Sequence, residues 1–427
     1  MTAEGGKLAI ASGWTSPAMT RLHGAPTVNV TYSPASQNAA TAYFNAITPW
    51  AYIGRMSVRA NGTIASRCKL GTNLAALSGD NCYEDYDATD GQKMVYVPQF
   101  CYAIDTLLTD HVTYWIGQVG DTFRKSDDSG DYTFTNTGTG FQAIAGNTTG
   151  DIHPAFICDG NILPHFFIGA FEGYYNAALS TMESKAGVAA SPSTTFSTGT
   201  TAQLTNPRTY ARNNGNGLAG WGLQTIQMFN ALRLLYIIEY GSLVSYSNLG
   251  GGYCNATVPQ PLTGTTSQYG NNSTGSTVSK TVSVSYRGVE NIYGNRYIIT
   301  DGCVMGNPVD GGTWIAPQGS GAAYYTYTFS SPYVNTGVTV STVASPNVIA
   351  SVDMGSYGWG FLPLTLRADW GVSKNFSDYW AGGIGTLYLL TGAPYAQGNG
   401  GGIFAGKVAW TGGSSAATGY RIAYLPV

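Results

Sequence analysis

The sequence predicts a mixed α+β fold with twisted antiparallel sheets and one long buried helix. Short segments of alternating apolar and polar residues recur along the chain, separated by Gly, Asn and Asp, which is typical of strands and turns. One long segment, residues 221–246, has the three- and four-residue apolar spacing of a helix and contains no proline. Few helices within a long series of strands favour α+β over a doubly wound parallel sheet.

The composition excludes several classes of protein. A hydrophobic fraction of 43% can bury a large core, so the chain of 427 residues is not disordered. Only 10% of its residues are charged, which is too few for a coiled coil, and its 57 glycines keep no collagen period. A net charge of −3 disfavours nucleic acid and anionic membranes as partners. Because no apolar run reaches about 18 residues, we expect no membrane insertion.

Residues 1–40 are small and polar, with Pro17, Pro26 and Pro34 spaced through them. Such a segment is a poor candidate for a compact core. We therefore predict an extended N-terminal attachment arm, or a short strand that docks on another chain.

Residues 41–165 are predicted to form a β-rich leading region. Its strand-like segments are residues 51–64, 93–104 and 111–120.

Residues 166–427 are predicted to form the main domain. In its long helix, Leu223, Ile226, Leu232 and Tyr236 recur at helical spacing, and apolar residues on several faces indicate that the helix is buried. Residues 201–214 predict a short helix before it, and residues 177–186 are a weaker helical candidate.

Metal and thiol chemistry are poorly supported. The six cysteines (Cys68, Cys82, Cys101, Cys158, Cys254 and Cys303) include no CxxC pair, and buried reduced thiols are the favoured interpretation. His153 and His165, with Asp151 or Asp159, match no metal motif. The acidic residues Glu84, Asp85, Asp87 and Asp90 lack the oxygen ladder of a calcium loop. We therefore predict no metal and no cofactor.

Catalytic patterns are equally weak. Residues 400–405 formally fit G-x-G-x-x-A, but no βαβ unit surrounds them, so tight turns or close approach of backbone to a ligand are favoured. Two carboxylate pairs, Asp301 with Asp310 and Asp353 with Asp369, leave glycoside hydrolysis open, because sequence spacing does not give their separation in space. The sequence therefore predicts that the protein is not an enzyme.

The last hundred residues are rich in aromatic side chains interleaved with Gly, Ser, Thr and Asn. Rigid aromatic groups beside small polar groups are typical of recognition surfaces, although about half of these rings must belong to the core. The candidate ligand-binding residues are Tyr379, Trp380, Tyr388, Tyr395, Asn399, Phe404, Trp410 and Tyr420.

Several ordered segments carry a family resemblance. They are residues 44–64, 93–102, 151–160, 166–175, 211–242, 286–302 and 401–427. This series resembles bacteriophage tail-fibre and adhesin proteins with a C-type-lectin-like fold. These are related to the formylglycine-generating-enzyme group and occur among variable proteins of diversity-generating retroelements.

The resemblance implies a C-type-lectin-like domain in which the Trp221–Tyr246 helix packs under a twisted antiparallel sheet. It places the ligand-binding face at about Asp378–Tyr420 and matches Arg421 to a G-x-R segment near the end of the family's chains. It also implies a set of fold-holding residues, among which Arg287 and Glu290 are expected to pair: Trp221, Arg287, Glu290, Asn291, Gly294, Asn295 and Asp301. No Cys follows Cys303, which argues against the oxidative activity of the enzyme group.

The predicted function is recognition. The resemblance implies a virion protein of a phage tail fibre or tail tip, or of the capsid surface, that binds a bacterial surface glycan or protein. It also implies a homotrimer attached to other virion proteins through the N-terminal arm. Two alternatives remain open: a structural decoration or fibre protein without receptor binding, and a surface-polysaccharide hydrolase.

Overall fold

The computed structural model describes most of the chain between residue 7 and the C-terminus. The described residues are 7–11, 20–22, 44, 48–67, 91–105, 111–125, 129–137, 150–196, 199, 201–240, 245, 249–266, 272–273, 280–319, 327–339, 347–352, 360–367, 378–382, 385, 387–398, 401–410 and 414–427.

Short strands dominate these residues. In chain order they are β1 (Lys7–Ala11), β2 (Thr20–Leu22), β3 (Gly54–Val58), β4 (Ile64–Arg67), β5 (Gln92–Pro98), β6 (Cys101–Asp105), β7 (His111–Gly117), β8 (Thr122–Arg124), β9 (Asp131–Thr133), β10 (Asp151–Ile152), β11 (Ile157–Cys158), β12 (Asn161–Ile162), β13 (His165–Gly169), β14 (Gly173–Asn176), β15 (Thr181–Ser184), β16 (Trp221–Leu223), β17 (Asn272–Ser273), β18 (Val284–Tyr286), β19 (Val289–Glu290), β20 (Tyr297–Met305), β21 (Gly312–Ile315), β22 (Val334–Thr339), β23 (Asn347–Val352), β24 (Pro363–Arg367), β25 (Tyr379–Ala381), β26 (Leu387–Thr391), β27 (Gly406–Trp410), β28 (Thr418–Gly419) and β29 (Ile422–Tyr424).

Two α-helices accompany these strands in the described residues, α1 (Asn206–Arg212) and α2 (Ile226–Tyr240). Shorter helical turns occupy Trp50–Tyr52, Pro154–Phe156, Ser193–Thr195, Thr201–Thr205 and Asn213–Gly215.

Three larger sheets organise the molecule. The first has the strand order β10-β6-β7-β1-β2 and the second has the order β16-β29-β13-β5-β3-β4. Both are antiparallel throughout. The third has the order β22-β21-β20-β26-β27-β25-β23-β24, with β28 beside β20, and parallel pairing occurs at β20–β28 and β25–β27. This mixture of antiparallel sheets and few helices confirms the α+β prediction.

Helix α2 lies in the core, and all of its side chains are buried. It begins where Thr225 Oγ1 accepts the N–H of Met228 at 3.3 Å, which satisfies one of the free donors of the first turn. The indole Nε1 of Trp50 donates to Leu235 O at 3.3 Å. Asn230 Nδ2 donates to Gly360 O at 2.9 Å, so the helix joins segments that are distant in the chain.

The predicted bounds of this helix were too wide. Residues Trp221–Leu223 form strand β16, which pairs with β29 near the C-terminus. Their apolar residues face a core as a strand, so the apolar spacing alone did not separate the two elements. The weaker helical candidate at 177–186 is also wrong, because β14 and β15 form a hairpin there. The short helix expected within 201–214 is confirmed by α1.

The predicted division of the chain at residue 165 does not separate two folding units. Strand β13 pairs with β5 on one side and with β29 on the other, so one sheet contains strands from both predicted regions.

The described segments of the predicted arm also pair within the chain, since β1 lies between β7 and β2. These segments therefore belong to a sheet of this chain, in which β2 is an edge strand, and the rest of residues 1–40 lies outside the described residues.

Candidate functional site

A polar cleft of about 250 Å³ lies beside the β14–β15 hairpin. We define the polar cleft by the residues whose side chains characterise its wall: Asn176, Leu179, Thr181, Glu183, Lys185, Asn213 and Asn214. Amide, hydroxyl, carboxylate and ammonium groups thus meet at one concave surface.

The hairpin brings the first of these side chains together. Asn176 lies opposite Thr181, and Tyr174 lies opposite Glu183 in the antiparallel register. Because side chains alternate across a strand, these four residues share one face of the hairpin. The sequence therefore presents a carboxylate, an amide, a hydroxyl and a phenol from the ten consecutive residues 174–183.

The loop of this hairpin is held at both ends. Asn176 Oδ1 accepts the N–H groups of Ala178 at 3.2 Å and Leu179 at 3.4 Å, as in an Asx turn. Ser180 adopts a positive φ of 51°, and its carbonyl accepts a hydrogen bond from Asn213 Nδ2 at 2.7 Å. The wall formed by Leu179 is therefore fixed to the segment that follows α1.

The end of α1 is fixed to two strands by a second amide. Asn214 Nδ2 donates to Met182 O at 2.6 Å and to Ala211 O at 3.0 Å. Its Oδ1 accepts from Gln92 Nε2 at 2.9 Å, and Gln92 Oε1 accepts the N–H of Ser184 at 2.8 Å. These bonds join α1, β15 and the start of β5 around the cleft.

Glu183 is the carboxylate of the cleft, and only 6% of this residue is exposed. Its Oε1 accepts two hydrogen bonds, from Asn176 Nδ2 at 2.9 Å and from Thr181 Oγ1 at 2.9 Å. Among the described residues, none donates a hydrogen bond to Oε2. Lys185 follows on the same side of the chain and is half-buried. The cleft therefore offers a fixed acceptor next to a cationic donor.

A second, smaller cavity of about 30 Å³ lies beside the ion pair of Arg208 and Asp301. Arg208 Nη2 lies 2.6 Å from Asp301 Oδ1, and the Tyr327 hydroxyl donates to the same oxygen at 2.6 Å. Burial alone would lower the pKa of Arg208, but Asp301 raises it above its ordinary value. This volume holds about one water molecule, so we assign the pair a structural role.

The predicted hydrolase pairs are not supported by this geometry. Asp301 is buried and engaged by Arg208 and Tyr327, while Asp310 Oδ1 caps a turn by accepting the Gly312 N–H at 2.7 Å. Asp353 and Asp369 lie outside the described residues.

The predicted C-terminal ligand-binding face needs correction at four positions. Trp380, Tyr388, Phe404 and Tyr420 are all at most 2% exposed and pack in the core. A ring without accessible surface cannot stack on a ligand, because the surrounding side chains already occupy its faces.

The remaining predicted residues of that face are placed differently. Tyr379 and Tyr395 are half-buried and keep some exposed surface. Asn399 lies outside the described residues, and for Trp410 the structure describes only the backbone, in β27. Ligand binding by Tyr379 and Tyr395 stays a prediction.

The expected pairing of Arg287 with Glu290 is wrong. Arg287 Nη2 lies 2.5 Å from Glu239 Oε1, on helix α2, and both side chains are fully buried. Glu290 instead accepts the backbone N–H groups of Gly264 at 2.8 Å and Thr266 at 2.6 Å. Residues close in sequence do not pair here because β19 directs the carboxylate towards another loop.

The other predicted fold-holding residues make close internal contacts. Asn291 and Asn295 both donate through Nδ2 to Glu172 Oε2. Gly294 has a φ of +90°, and a Cβ there would lie 2.6 Å from the backbone nitrogen of Tyr253. Trp221 Nε1 donates to Ala60 O at 2.9 Å.

Arg421, the residue that the resemblance singled out near the C-terminus, is also buried. Its guanidinium donates to Gly169 O at 2.8 Å and to Glu290 O at 2.7 Å. Arg421 therefore joins β13, β19 and the start of β29.

The glycine-rich segment near residue 402 also has an internal role. A Cβ on Gly402 would overlap the carboxylate of Asp378, whose Oδ2 accepts the Phe404 N–H at 2.7 Å. The close approach expected at these glycines is therefore made by a side chain of the protein itself.

In the part of the chain that the structure describes, no three His, Cys, Asp or Glu side chains come together as a ligand set for a metal ion. His153 is buried, and its Nδ1 accepts the Ala155 N–H at 3.2 Å. The acidic residues 84–90 lie outside the described residues. Cys101, Cys158, Cys254 and Cys303 are buried free thiols, as predicted, and burial raises the pKa of Cys101 to about 12. None of the described helices has both the length and the hydropathy needed to cross a bilayer.

The polar cleft was missed at the level of sequence. Residues 177–186 were interpreted as a possible helix, whereas the structure has a hairpin there, which supplies Thr181 and Glu183. A turn signal was present, since Asn213, Asn214 and Asn216 lie in an Asn/Gly-rich segment typical of turns.

No protein-family model matches this sequence, and no curated protein is similar to it. The assignment of a function therefore rests on the residues of the site.

Proposed function

We propose that this protein is a receptor-binding protein that recognises a bacterial surface glycan or protein through the polar cleft. The observation that carries the proposal is the fixed arrangement of its polar side chains. Asn176, Asn213 and Asn214 are each held by at least one hydrogen bond before any ligand binds. A ligand therefore meets groups that are already ordered, which lowers the entropic cost of binding.

The low charge of the molecule supports the same proposal. With 10% charged residues, it has little means of attracting a polyanion over long distances. Its cleft combines amide and hydroxyl groups with single charges, the chemistry that binds polyols and polar peptide surfaces through directed hydrogen bonds.

We further propose a C-type-lectin-like fold and a place on a phage virion, in a tail fibre or tail tip. The ordered motifs support this reading, and the antiparallel sheets around buried helix α2 are compatible with it. A homotrimer would compensate for weak binding at a single cleft through avidity. Light scattering of the purified protein tests this assembly, and a monomer at working concentration would contradict it.

Binding of the purified protein to a panel of bacterial cells and immobilised surface polysaccharides tests the function. We expect saturable binding to at least one surface. The double change Asn176→Ala and Thr181→Ala should weaken it about tenfold or more, because it removes cleft groups and releases Glu183.

The change Asn161→Ala, at an exposed residue outside the cleft, is the matched control and should leave binding unchanged. Absence of saturable binding to every surface would favour a structural virion protein. Release of new reducing ends from a bound polysaccharide would indicate a hydrolase instead.

A further inference from the structure

We infer that the polar cleft binds a neutral sugar through two adjacent hydroxyl groups, with Glu183 as the acceptor and Asn176 as the neighbouring donor. This inference rests on the proposed recognition function and names the ligand class for the same cleft. The inference follows from the hydrogen-bonding positions that the protein itself leaves unused.

Glu183 supplies the unused acceptor. Its Oε1 is occupied by Asn176 Nδ2 and Thr181 Oγ1, each at 2.9 Å, and no described residue donates to Oε2. The residue is 6% exposed, so the carboxylate has lost most of its contact with bulk water. Oε2 is not one of the described side-chain oxygens that are buried without a hydrogen-bond partner, so it reaches the solvent of the cleft, where a hydroxyl group of a ligand can donate to it.

Asn176 supplies the donor beside it. One N–H of its amide is directed at Glu183 Oε1, which leaves the second N–H available, while its Oδ1 is occupied by the hairpin loop. An amide donor bonded to a carboxylate acceptor forms an acceptor–donor pair at fixed spacing. Adjacent sugar hydroxyls match such a pair, because one hydroxyl can donate to the carboxylate while its neighbour accepts from the amide.

The charges around the cleft favour a neutral ligand over an acidic one. The ammonium of Lys93 is buried and already donates to Ser57 Oγ at 2.8 Å within the protein. Lys185 is the remaining cationic residue of the wall, and it lies two residues after Glu183 in the chain. An anionic group placed against Glu183 would be repelled by its carboxylate.

The rim of the cleft adds an apolar surface. Leu179 is 66% exposed, although its backbone is fixed by Asn176. Sugar rings have apolar C–H faces as well as hydroxyl edges, so Leu179 can cover a ring face while Glu183 and Asn176 bind an edge. Burial of that contact would add hydrophobic stabilisation to the hydrogen bonds.

Isothermal titration calorimetry with monosaccharides tests the inference. The probes are glucose, galactose, mannose and N-acetylglucosamine, the deoxy analogue of whichever binds best, and glucuronic acid as the acidic arm. We expect a neutral sugar to bind best and the deoxy analogue to bind about tenfold or more weakly. Tighter binding of glucuronic acid than of every neutral sugar would overturn the inference.

Glu183→Gln keeps the size of the side chain and its carbonyl oxygen for Asn176 and Thr181, and it replaces the remaining carboxylate oxygen by an amide donor. We expect it to weaken sugar binding about 10- to 100-fold, the range for a hydrogen bond to a charged group. Asp131→Asn, an exposed acid-to-amide change outside the cleft, is the control. Equal binding by Glu183→Gln and the original protein would refute the inference.

If Glu183→Gln does not fold, Leu179→Ala at the exposed rim replaces it. Weaker sugar binding by this variant would support the inference, and unchanged binding would contradict it. The cell-binding assay separates this inference from the proposed function. Cell binding that survives both free sugar and Glu183→Gln would leave the function standing and refute the sugar ligand. Sugar binding in the cleft without binding to any cell would support the sugar ligand and refute the proposed receptor-binding function.

Discussion

Arg287 and Glu239 form an ion pair that is completely removed from solvent, with 2.5 Å between Nη2 and Oε1. Arg287 Nε also donates to Glu239 Oε2 at 3.0 Å, so the pair is bidentate. Burial alone would lower the pKa of Arg287, but Glu239 raises it. Removal of one partner from such a pair leaves a buried charge without compensation.

The first prediction concerns this pair. Glu239→Ala should lower the free energy of unfolding by about 3–5 kcal/mol, because Arg287 stays buried without its partner. Urea unfolding followed by fluorescence measures the change. Arg59→Ala, at an exposed arginine, is the control and should change stability by less than about 0.5 kcal/mol. The double change Glu239→Leu and Arg287→Met should recover part of the loss, and a loss as large as that of Glu239→Ala would argue against the mechanism.

Glu172 provides a second prediction, for pH dependence. Burial raises the pKa of Glu172 from 4.5 to about 6, although Arg421, Arg296, Asn295 and Asn291 oppose this rise. The folded state therefore binds this proton more strongly than the unfolded state does. The resulting stabilisation is complete below pH 4.5 and is lost as the pH rises towards 6.

Glu172→Gln removes this titration and keeps an amide in place of the carboxyl group. From pH 4.5 to 6, the original protein should lose about 1 kcal/mol of stability relative to the variant, because the titration is only partly complete at these two pH values. Urea unfolding of both proteins across this range measures the difference. The contributions of groups that are present in both proteins, such as His153, cancel in this difference. Parallel pH profiles for the two proteins would show that the pKa of Glu172 is not raised.

At the scale of elements, helix α2 is the centre of the fold. It buries polar as well as apolar side chains, because the polar ones bond to distant backbone. Gln227 Nε2 donates to Ala316 O at 2.5 Å, and Arg233 Nε donates to Ile403 O at 2.8 Å. The guanidinium of Arg233 also lies 4.4 Å from the ring centre of Phe229. The helix therefore has no solvent-exposed face.

The third prediction tests the packing of this helix. Leu234 has no exposed surface, so Leu234→Ala should cost about 2–5 kcal/mol of unfolding free energy through lost burial and the cavity that remains. Leu218→Ala, where 54% of the leucine is exposed, makes the same chemical change at the surface and should cost far less. Equal losses in urea unfolding would indicate that α2 is not packed as described.

At the scale of the molecule, the second sheet contains strands from both regions that the sequence had predicted as separate, residues 41–165 and 166–427. Its central strand β13 pairs with β5 and β29, so the sheet includes residues 54–67, 92–98 and 422–424. The C-terminal strand β29 lies between β13 and β16. Folding of this sheet therefore requires residues 54–98 as well as the C-terminal strand.

The fourth prediction follows from that arrangement. A fragment of residues 166–427 should not fold alone, because it lacks β5 and leaves one edge of β13 and the apolar side chains beneath it exposed. Limited proteolysis and near-ultraviolet circular dichroism would show rapid digestion and no fixed aromatic environment. A protease-resistant fragment with a cooperative unfolding transition would instead establish residues 166–427 as an independent domain.

Local patterns predicted the elements better than they predicted the site. Alternation identified strands β3, β5 and β7, because side chains on opposite faces of a strand meet different environments. Pairing across the chain left no such local signature: Arg287 bonds to Glu239 at a separation of 48 residues, and Arg208 bonds to Asp301 at 93. The polar cleft depends on the same kind of contact, since Asn213 reaches Ser180 from 33 residues away.

The amino-acid sequence by itself determined the α+β class, the buried position of the long helix and the scarcity of charge, since these depend on composition and on periodicity within single elements. Tertiary structure decided which aromatic rings are exposed and which polar groups meet. Trp380 and Tyr420 are buried because neighbouring strands and loops cover them, and Glu183 lies in a cleft because the hairpin and the end of α1 meet there. Exposure and proximity are properties of packed surfaces, and a linear pattern of residues does not contain them.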